Sequence, residues 1–528
     1  MRDHPVDPLP SAVRPRGSGR ATAVVMFGIG VSRLFGLVRE QVVAFYFGRA
    51  AVYSAFVAAY KVPNLVRVLL GEGNLSASFI PVLAERMREG GEAEARRLAR
   101  GVLGLLLAVV GVVTLAGMAA APALAWVVAP GFDPALRALV ERLIVILFPT
   151  VAFMVAGGWC MGVLHAHGRF FWPNFAPLFW SVVSAGALVA FVGRTDMDPV
   201  YVLAWGVVAG SAVQLLVQLP AARAALGTIA PGGGWKDPAV RRVVRLFGPM
   251  LVGSGVAQLS TLVDVQIASF VSDESVASLA YAQRLYLLPL SLFAVSIAQV
   301  ALPTLAHDAG AGGPEAIRRQ LSTAWRRMAF LVIPSSLGLV AFGRPAVSVI
   351  FEHGRFDAAD TSAVTAVLAA YSAGLLAYAS TRLFATAFHA VQDTATPVRV
   401  AAVALAANVG LGVALAWAIG TPGIALATAL AATVSAVVLA RRLSRRLGGG
   451  LDSGARRTAR AALISAAVAG LAAVGPYLWI LGRWAGWGLP PRLAATAALY
   501  LGVAGLYLAV ARALGASEIG PALRRLRR

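Results

Sequence analysis

Cysteine is all but missing from this chain: Cys160 stands alone among 528 residues, inside an apolar stretch. A disulfide framework and a thiolate metal cluster are both excluded. Charge is also scarce, with Asp, Glu, Lys and Arg making up 13% of residues where soluble domains carry about 25%. Acidic side chains are the scarcer sign, 24 against 46 basic ones. No polar stretch is longer than about 20 residues, too short for a soluble domain of its own. Nucleotide-binding and catalytic motifs are missing too. Gly232-Gly233-Gly234-Trp235-Lys236 follows no strand and opens no phosphate-binding helix, so it reads as a linker. His165 and His167 have no acidic residue close by in sequence and read as a loop feature rather than a metal site. Any work done by this chain is expected to draw on a gradient, not on ATP bound here.

What is there is apolar: 59% of residues are hydrophobic, which identifies an all-α polytopic membrane protein. A bilayer core takes about 20 mostly apolar residues per helix. That length places spans near 21–47, 51–70, 98–127, 138–164, 172–193, 199–222, 244–271, 276–304, 324–343, 361–388, 398–418, 422–440, 459–480 and 493–512. Fourteen transmembrane helices are therefore expected. The first carries Arg33 and ends without a small-residue cleavage site, so it is expected to be a retained helix rather than a removed signal peptide. A break at Gly71-Glu72-Gly73 leads into a short amphipathic piece ending near Glu85.

Loops alternate in basicity. One set holds Arg86, Arg88, Arg96, Arg97 and Arg100, later Arg241, Arg242 and Arg245, and finally Arg441, Arg442, Arg445, Arg446, Arg456, Arg457 and Arg460. The other set mixes a few arginines with Asp196, Asp198, Asp273, Glu274, Glu352, Asp357 and Asp360. Excess Lys and Arg mark cytoplasmic loops, which puts both termini inside. The net charge of +22 follows from the same bias and from attraction to anionic membrane lipids, and requires no nucleic acid.

Residues 27–222 resemble residues 247–440. Phe27-Gly28 matches Phe247-Gly248, Pro81-Val82-Leu83-Ala84 matches Pro303-Thr304-Leu305-Ala306, Phe132-Asp133 matches Phe356-Asp357, and His165 with Pro173 matches His389 with Pro397. The matches fall in order with a nearly constant offset. Each half holds six spans, so two parallel six-helix repeats are expected, a device of transporters that rock two bundles about a shared site. The domains follow: a polar, disordered cytoplasmic tail at 1–20, a first bundle at 21–224, a cytoplasmic linker at 225–243, a second bundle at 244–447, and two extra helices with a tail at 448–528.

Five charges sit within apolar spans: Arg33, Arg39, Arg67, Asp264 and Arg284. Each costs about 2.5–3.5 kcal/mol at membrane depth by insertion scales. One reading has them snorkel or pair locally, Arg39 with Glu40 and Arg67 with Glu72. The other is a cationic cavity between the halves, whose guanidinium forks suit the oxygens of a diphosphate. Arg33 and Arg39 lie about 120° apart around one helix, able to flank one cavity but not to share a stripe. Asp264 either pairs with an arginine or takes up H⁺ or Na⁺; both remain open.

The run Val31-Ser32-Arg33-Leu34-Phe35-Gly36-Leu37-Val38-Arg39-Glu40, then Tyr60-Lys61-Val62-Pro63-Asn64-Leu65-Val66-Arg67 and Gly71-Glu72-Gly73, closely resembles the MurJ (MviN) family. The likeness extends through Ser78-Phe79-Ile80-Pro81-Val82-Leu83 and Ala282-Gln283-Arg284-Leu285 and covers nearly the whole chain. These are the bacterial lipid II flippases of the multidrug/oligosaccharidyl-lipid/polysaccharide exporter superfamily. The resemblance implies a multi-pass protein of the bacterial cytoplasmic (inner) membrane, serving peptidoglycan and cell wall biogenesis and thus cell shape. It implies alternating access for undecaprenyl-diphosphate-linked precursor, with no nucleotide and no nucleic acid as partner. Arg33, Arg39, Arg67 and Arg284 match positions that engage the headgroup, Glu72 matches an acidic position in the same cavity, and the last two spans match a groove for the prenyl tail. Asp264, Asn408, Thr428 and the Ile424 carbonyl match a sodium site; Gly412 stands where that site has a second carboxylate, and Ser54 where some members place Asp.

Three other readings compete. A related lipid-linked oligosaccharide flippase would use the same cavity. A cation-coupled multidrug exporter would carry cationic substrates, which the cavity arginines repel. A membrane glycosyltransferase would need a cluster of carboxylates or histidines at a membrane face, and the sequence offers none.

Overall fold

Inside lipid, a chain without polar partners must satisfy every backbone N–H and C=O within its own segment, and helices do this. The computed structural model describes residues 18–71, 73–301, 305, 313–516 and 518. Glu72, most of the expected tail at 1–20, and the last residues beyond Glu518 lie outside the described residues. All fourteen expected stretches are helical where described. Ten helices are long and apolar enough to cross a membrane among the described residues, or eleven with a pair bent by 42° counted as one.

The first half runs through α1 (Ser18–Phe47), α2 (Ala51–Leu70), α3 (Asn74–Ala119), α4 (Ala121–Val128), α5 (Pro134–Leu147), α6 (Pro149–Ala166), α7 (Phe171–Phe191), α8 (Pro199–Leu216) and α9 (Leu219–Leu226). The amphipathic piece after the Gly71 break does not stop at Glu85. It continues into the third span as one helix, kinked at Gly91, whose φ of 69° lies in the left-handed region.

The second half comprises α10 (Pro238–Val271), α11 (Ser275–Pro289), a π-helical turn (Leu290–Val295), α12 (Gly313–Phe351), α13 (Ala358–Ala373), α14 (Leu375–Ala390), α15 (Ala395–Ile419) and α16 (Thr421–Arg446). Two further helices, α17 (Ser453–Arg483) and α18 (Leu489–Ala513), pack on α12. Trp484 Nε1 donates to Ser348 Oγ at 2.8 Å and Arg492 Nη1 meets Glu352 Oε1 at 3.0 Å, fixing one end of that pair.

Sequence-matched residues do the same local work in both halves. Asp133 caps α5 by accepting from the Leu136 N–H at 2.8 Å, and Asp357 caps α13 by accepting from the Asp360 N–H at 2.8 Å. Each cap satisfies a donor that the helix itself leaves open. The preceding Phe132 and Phe356 are both buried.

The halves meet tightly at the end opposite the arginine-rich loops. Arg49, between α1 and α2, reaches Glu274 Oε2 at 2.9 Å and Asp360 Oδ1 at 3.2 Å. Its backbone N–H donates to Asp360 Oδ2 at 3.1 Å. The Tyr281 hydroxyl donates to the Gly48 carbonyl at 2.9 Å, and the Arg355 N–H to the Phe45 carbonyl at 2.9 Å. Gly48 (φ +53°) and Gly354 (φ +62°) permit this approach: a Cβ on either would stand 2.5 Å from the Arg355 oxygen or 2.4 Å from the Phe45 oxygen. Ser54, buried on α2, accepts from the Ala277 N–H at 3.0 Å. That N–H belongs to the first turn of α11, whose own N-cap offers no side-chain bond. The hydroxyl therefore caps a helix of the other half.

Candidate functional site: a basic cavity between the halves

Beneath that seal lies a cavity of about 400 Å³ lined from both halves. Arg39 and Glu40 come from α1, Lys61, Asn64 and Arg67 from α2, Asp264 from α10, and Gln283 and Arg284 from α11. Four bases face two acids, so the fully ionised lining carries two net positive charges. Tyr60, Trp180 and Tyr371 supply aromatic wall.

Glu40, only 4% exposed, organises the centre. Its carboxylate pairs with the adjacent Arg39 and stands 3.2 Å from Arg284 Nε. The Tyr53 hydroxyl approaches its other oxygen at 3.4 Å. Both guanidiniums thus share one carboxylate, and the bond to Arg284 crosses between the halves. Arg39 also lies with its Cζ 4.1 Å from the Trp180 ring centroid, a cation–π contact that holds it against the wall. Its Nε is buried and has no hydrogen-bond partner. Arg67 donates to Asn64 Oδ1 at 3.2 and 2.9 Å, one helical turn earlier on α2. Arg284 keeps 51% of its side chain accessible on the cavity side.

Arg33 is placed elsewhere. It is exposed, it is not among the lining residues, and its Nη1 donates to Ser291 Oγ at 2.7 Å in the π-helical turn. The lining thus unites Arg39, Arg67, Arg284 and Asp264, while Arg33 occupies the seam between α1 and that turn. Local pairing of Arg39 with Glu40, one of the two readings of the sequence, coexists with a place on the cavity wall.

Lys61 is the lining cation that sequence reasoning passed over. Its signal was available, a lysine midway along the apolar span 51–70. Asn64 and Gln283 carry no such mark, since single amides are common in helices.

Asp264 accepts from Asn408 Nδ2 at 2.9 Å and from Thr428 Oγ1 at 3.5 Å, and Thr428 Oγ1 also donates to the Ile424 carbonyl at 3.0 Å. Asn408 is 2% exposed and its Oδ1 has no partner. An orphaned buried carbonyl oxygen beside a carboxylate, a hydroxyl and a main-chain oxygen is a fitting donor set for a hard monovalent cation. With one carboxylate the set suits a single charge. Gly412 supplies no second carboxylate, and a Cβ there would stand 2.8 Å from Ile267 Cδ1, the tip of a side chain that would have to turn aside. His167 does meet an acid in space, its Nε2 lying 3.5 Å from Glu92 Oε2, but among the described residues no group of three or more His, Cys, Asp or Glu could hold a metal ion.

An apolar groove of about 340 Å³ runs between α17 and α18, lined by Ala469, Ala473, Pro476, Trp479, Leu499 and Leu506 among others.

The family model described as lipid II flippase MurJ matches residues 43–493. The chain belongs to the MurJ family. That family is one of transporters rather than enzymes. A curated relative from Vibrio cholerae, named a probable lipid II flippase MurJ, is 34% identical over 504 residues, covering 92% of this chain and 94% of its own. A Burkholderia cenocepacia protein named lipid II flippase MurJ is 33% identical over 377 residues, covering 70% of this chain and 73% of its own. Among solved structures, a lipid II flippase MurJ in an inward closed conformation aligns with a TM-score of 0.73 at 22% identity, covering 92% of this chain and 98% of that one. An inward-facing multidrug resistance MATE family transporter of the MOP superfamily aligns at 0.67 with 12% identity, covering 81% and 98%. These two likenesses place the chain in a shared helical fold.

Proposed function

We propose that this protein carries lipid II, the undecaprenyl-diphosphate-linked peptidoglycan precursor, from the inner to the outer leaflet of the bacterial cytoplasmic membrane. The observation that carries the reading is the convergence of Arg39, Lys61, Arg67 and Arg284 on one cavity in a chain of the MurJ family. A diphosphate in hydrocarbon forfeits hydration worth tens of kcal/mol in the Born limit (roughly). Guanidinium forks replace that hydration, with two bonds offered per fork. The prenyl tail stays in lipid or in the groove between α17 and α18 while the headgroup crosses. Fourteen spans and cytoplasmic termini fit the reading, because they put the arginine-rich loops inside. The sealed end then faces outward, and the cavity is poised to receive the headgroup from the cytoplasmic leaflet. Arg33 takes its part from the seam with Ser291, where a headgroup entering sideways meets it first.

Coupling falls to Asp264, Asn408, Thr428 and the Ile424 carbonyl, which would hold Na⁺, or to Asp264 alone if H⁺ is the ion. A bound cation would supply a charge that the membrane potential can act upon. Kinship of fold with multidrug exporters favours a second reading, export of a cationic compound; a net positive lining opposes it, and it also leaves a related lipid-linked oligosaccharide as a cargo of the right sign.

The test is rescue of a flippase-depleted bacterium, combined with an assay of lipid II exposed on the outer leaflet. Arg39→Ala and Arg284→Ala should each cut lipid II exposure at least about tenfold, the loss of one charge-assisted contact. Arg284→Lys should restore part of it. Full rescue by both alanine variants would remove the diphosphate site.

A further inference from the structure

We propose a second anion site, separate from the central cavity, in which Arg456, Arg457 and Arg460 bind the phosphate of an anionic membrane phospholipid. The three arginines line a recess of about 410 Å³ at the basic end of α17, floored by Ala461, Ile464 and Leu514. Leu514 follows the end of α18, so the recess spans the seam between the two last helices. Arg457 Nη2 lies 3.4 Å from where a Cβ of Gly515 would stand, which sets its guanidinium over the last turn of α18.

Two observations point to an anionic ligand. First, none of the three arginines has a hydrogen bond or ion pair among the described residues, whereas Arg326, which reaches the start of α17 at Gly454, is paired. Arg326 reaches Asp452 at 3.4 Å and Glu518 at 3.8 Å, and Arg446 meets Asp393 at 2.7 Å. The acids near the recess are thus engaged elsewhere, by Arg326 and by neutral donors: Thr458 Oγ1 donates to Glu518 at 2.9 Å, and Asp452 caps α17 through the Ala455 N–H at 2.7 Å. Second, the arginines stand within the first two turns of α17, and that helix has no acid in its first turn. A helix N-terminus carries partial positive charge, so three cations there repel both one another and the helix. One bound phosphate relieves both repulsions, with guanidinium forks as its donors.

The surroundings select a lipid over a soluble anion. Immediately past Arg460 the outer face of α17 becomes aliphatic: Leu463 is 50% exposed and Ile464 51%. Val468 and Leu471 continue that exposed stripe. A phosphate held by the arginines places its acyl chains along this stripe, at the level where headgroup meets hydrocarbon. Juxtamembrane arginines are drawn to the negative surface of anionic lipid. The recess stands apart from the diphosphate cavity, and its occupant does not depend on what that cavity carries.

The experiment is native mass spectrometry of the purified full chain titrated with phosphatidylglycerol, with phosphatidylcholine as the neutral control. The parent should retain phosphatidylglycerol preferentially, and Arg456→Gln/Arg457→Gln/Arg460→Gln should weaken retention at least about tenfold. Arg460→Glu alone, a milder change for folding, should weaken it severalfold, and Arg512→Gln, outside the recess, should not. Equal retention by parent and triple variant, or equal retention of both lipids by the parent, overturns the proposal. Displacement by inorganic phosphate at equal concentration would assign the recess to a free anion. Preferential displacement by a polyprenyl diphosphate would assign it to the transported lipid. Either outcome also overturns a phospholipid site.

Discussion

Glu40 Oε1 lies 3.2 Å from Arg284 Nε, joining a carboxylate of the first half to a guanidinium of the second while also pairing with Arg39. Removing that charge leaves two arginines facing one another. Glu40→Gln should lower stability by about 1–3 kcal/mol, below the full cost of breaking a buried pair because Arg284 is half-exposed. Thermal unfolding in detergent reads this, and an unchanged midpoint would show that the shared carboxylate holds nothing. Glu40→Gln paired with Arg284→Gln should recover part of the loss, since no uncompensated charge then remains on that side.

Arg49 ties the rim by ion pairs to Glu274 and Asp360, both from the other half. Asp360→Asn and Arg49→Ala should both favour the state in which this end is open. Cys160 is buried, so a cysteine introduced at Ala277, which is fully buried beside Ser54, would report with little background. Maleimide labelling at that position should rise severalfold in the Arg49→Ala background. Labelling that stays at parent levels would remove the ion pairs as the seal.

The oxygen set around Asp264 should make unfolding respond to sodium. Saturating Na⁺ at about ten times its dissociation constant adds about 1.4 kcal/mol to a native state that alone binds it. Asp264→Asn and Asn408→Ala should abolish the rise in midpoint that Na⁺, but not K⁺ or choline, gives the parent. A parent indifferent to Na⁺ ends the sodium reading and leaves the proton.

Asp393 lies in the loop before α15, where the Thr396 N–H bonds it at 3.0 Å, the Thr396 hydroxyl at 2.9 Å and Arg446 Nη1 at 2.7 Å. The backbone bond from Thr396 is the main cause holding its carboxyl below the usual range, with the hydroxyl and Arg446 adding to it. A depressed value means the stabilisation is complete above the unfolded-chain value and fades as pH falls through the folded one. Asp393→Asn should cost about 0.5–1 kcal/mol near neutrality. The gap between variant and parent should close below the ordinary aspartate range, as a pH series of unfolding midpoints would show.

Helices were legible in the sequence because lipid permits little else: each long apolar run had one available structure. The matched Phe-Asp pairs at 132–133 and 356–357 spoke to common local roles in the two halves, where each Asp caps a helix. Cavity-lining residues were legible where a charge interrupted an apolar run, as with Arg39, Arg67, Asp264 and Arg284. Lys61 obeyed the same rule and was still overlooked. What could not be read was pairing across distance. The Arg39 pair with Glu40 was among the readings of the sequence, but nothing local announces that Arg284 shares the same carboxylate. Nor does the sequence announce that Ile267 fills the space beside Gly412, or that Ser54 serves the other half as a helix cap.

Gly48 and Gly354 let main chain touch main chain where the two bundles close. A rim built from backbone cannot be loosened one rotamer at a time, as a rim of interlocked side chains can. It parts as a unit or stays shut. If the chain alternates access as proposed, two absent methyl groups thus make leakage a matter of whole-body motion rather than of local flicker.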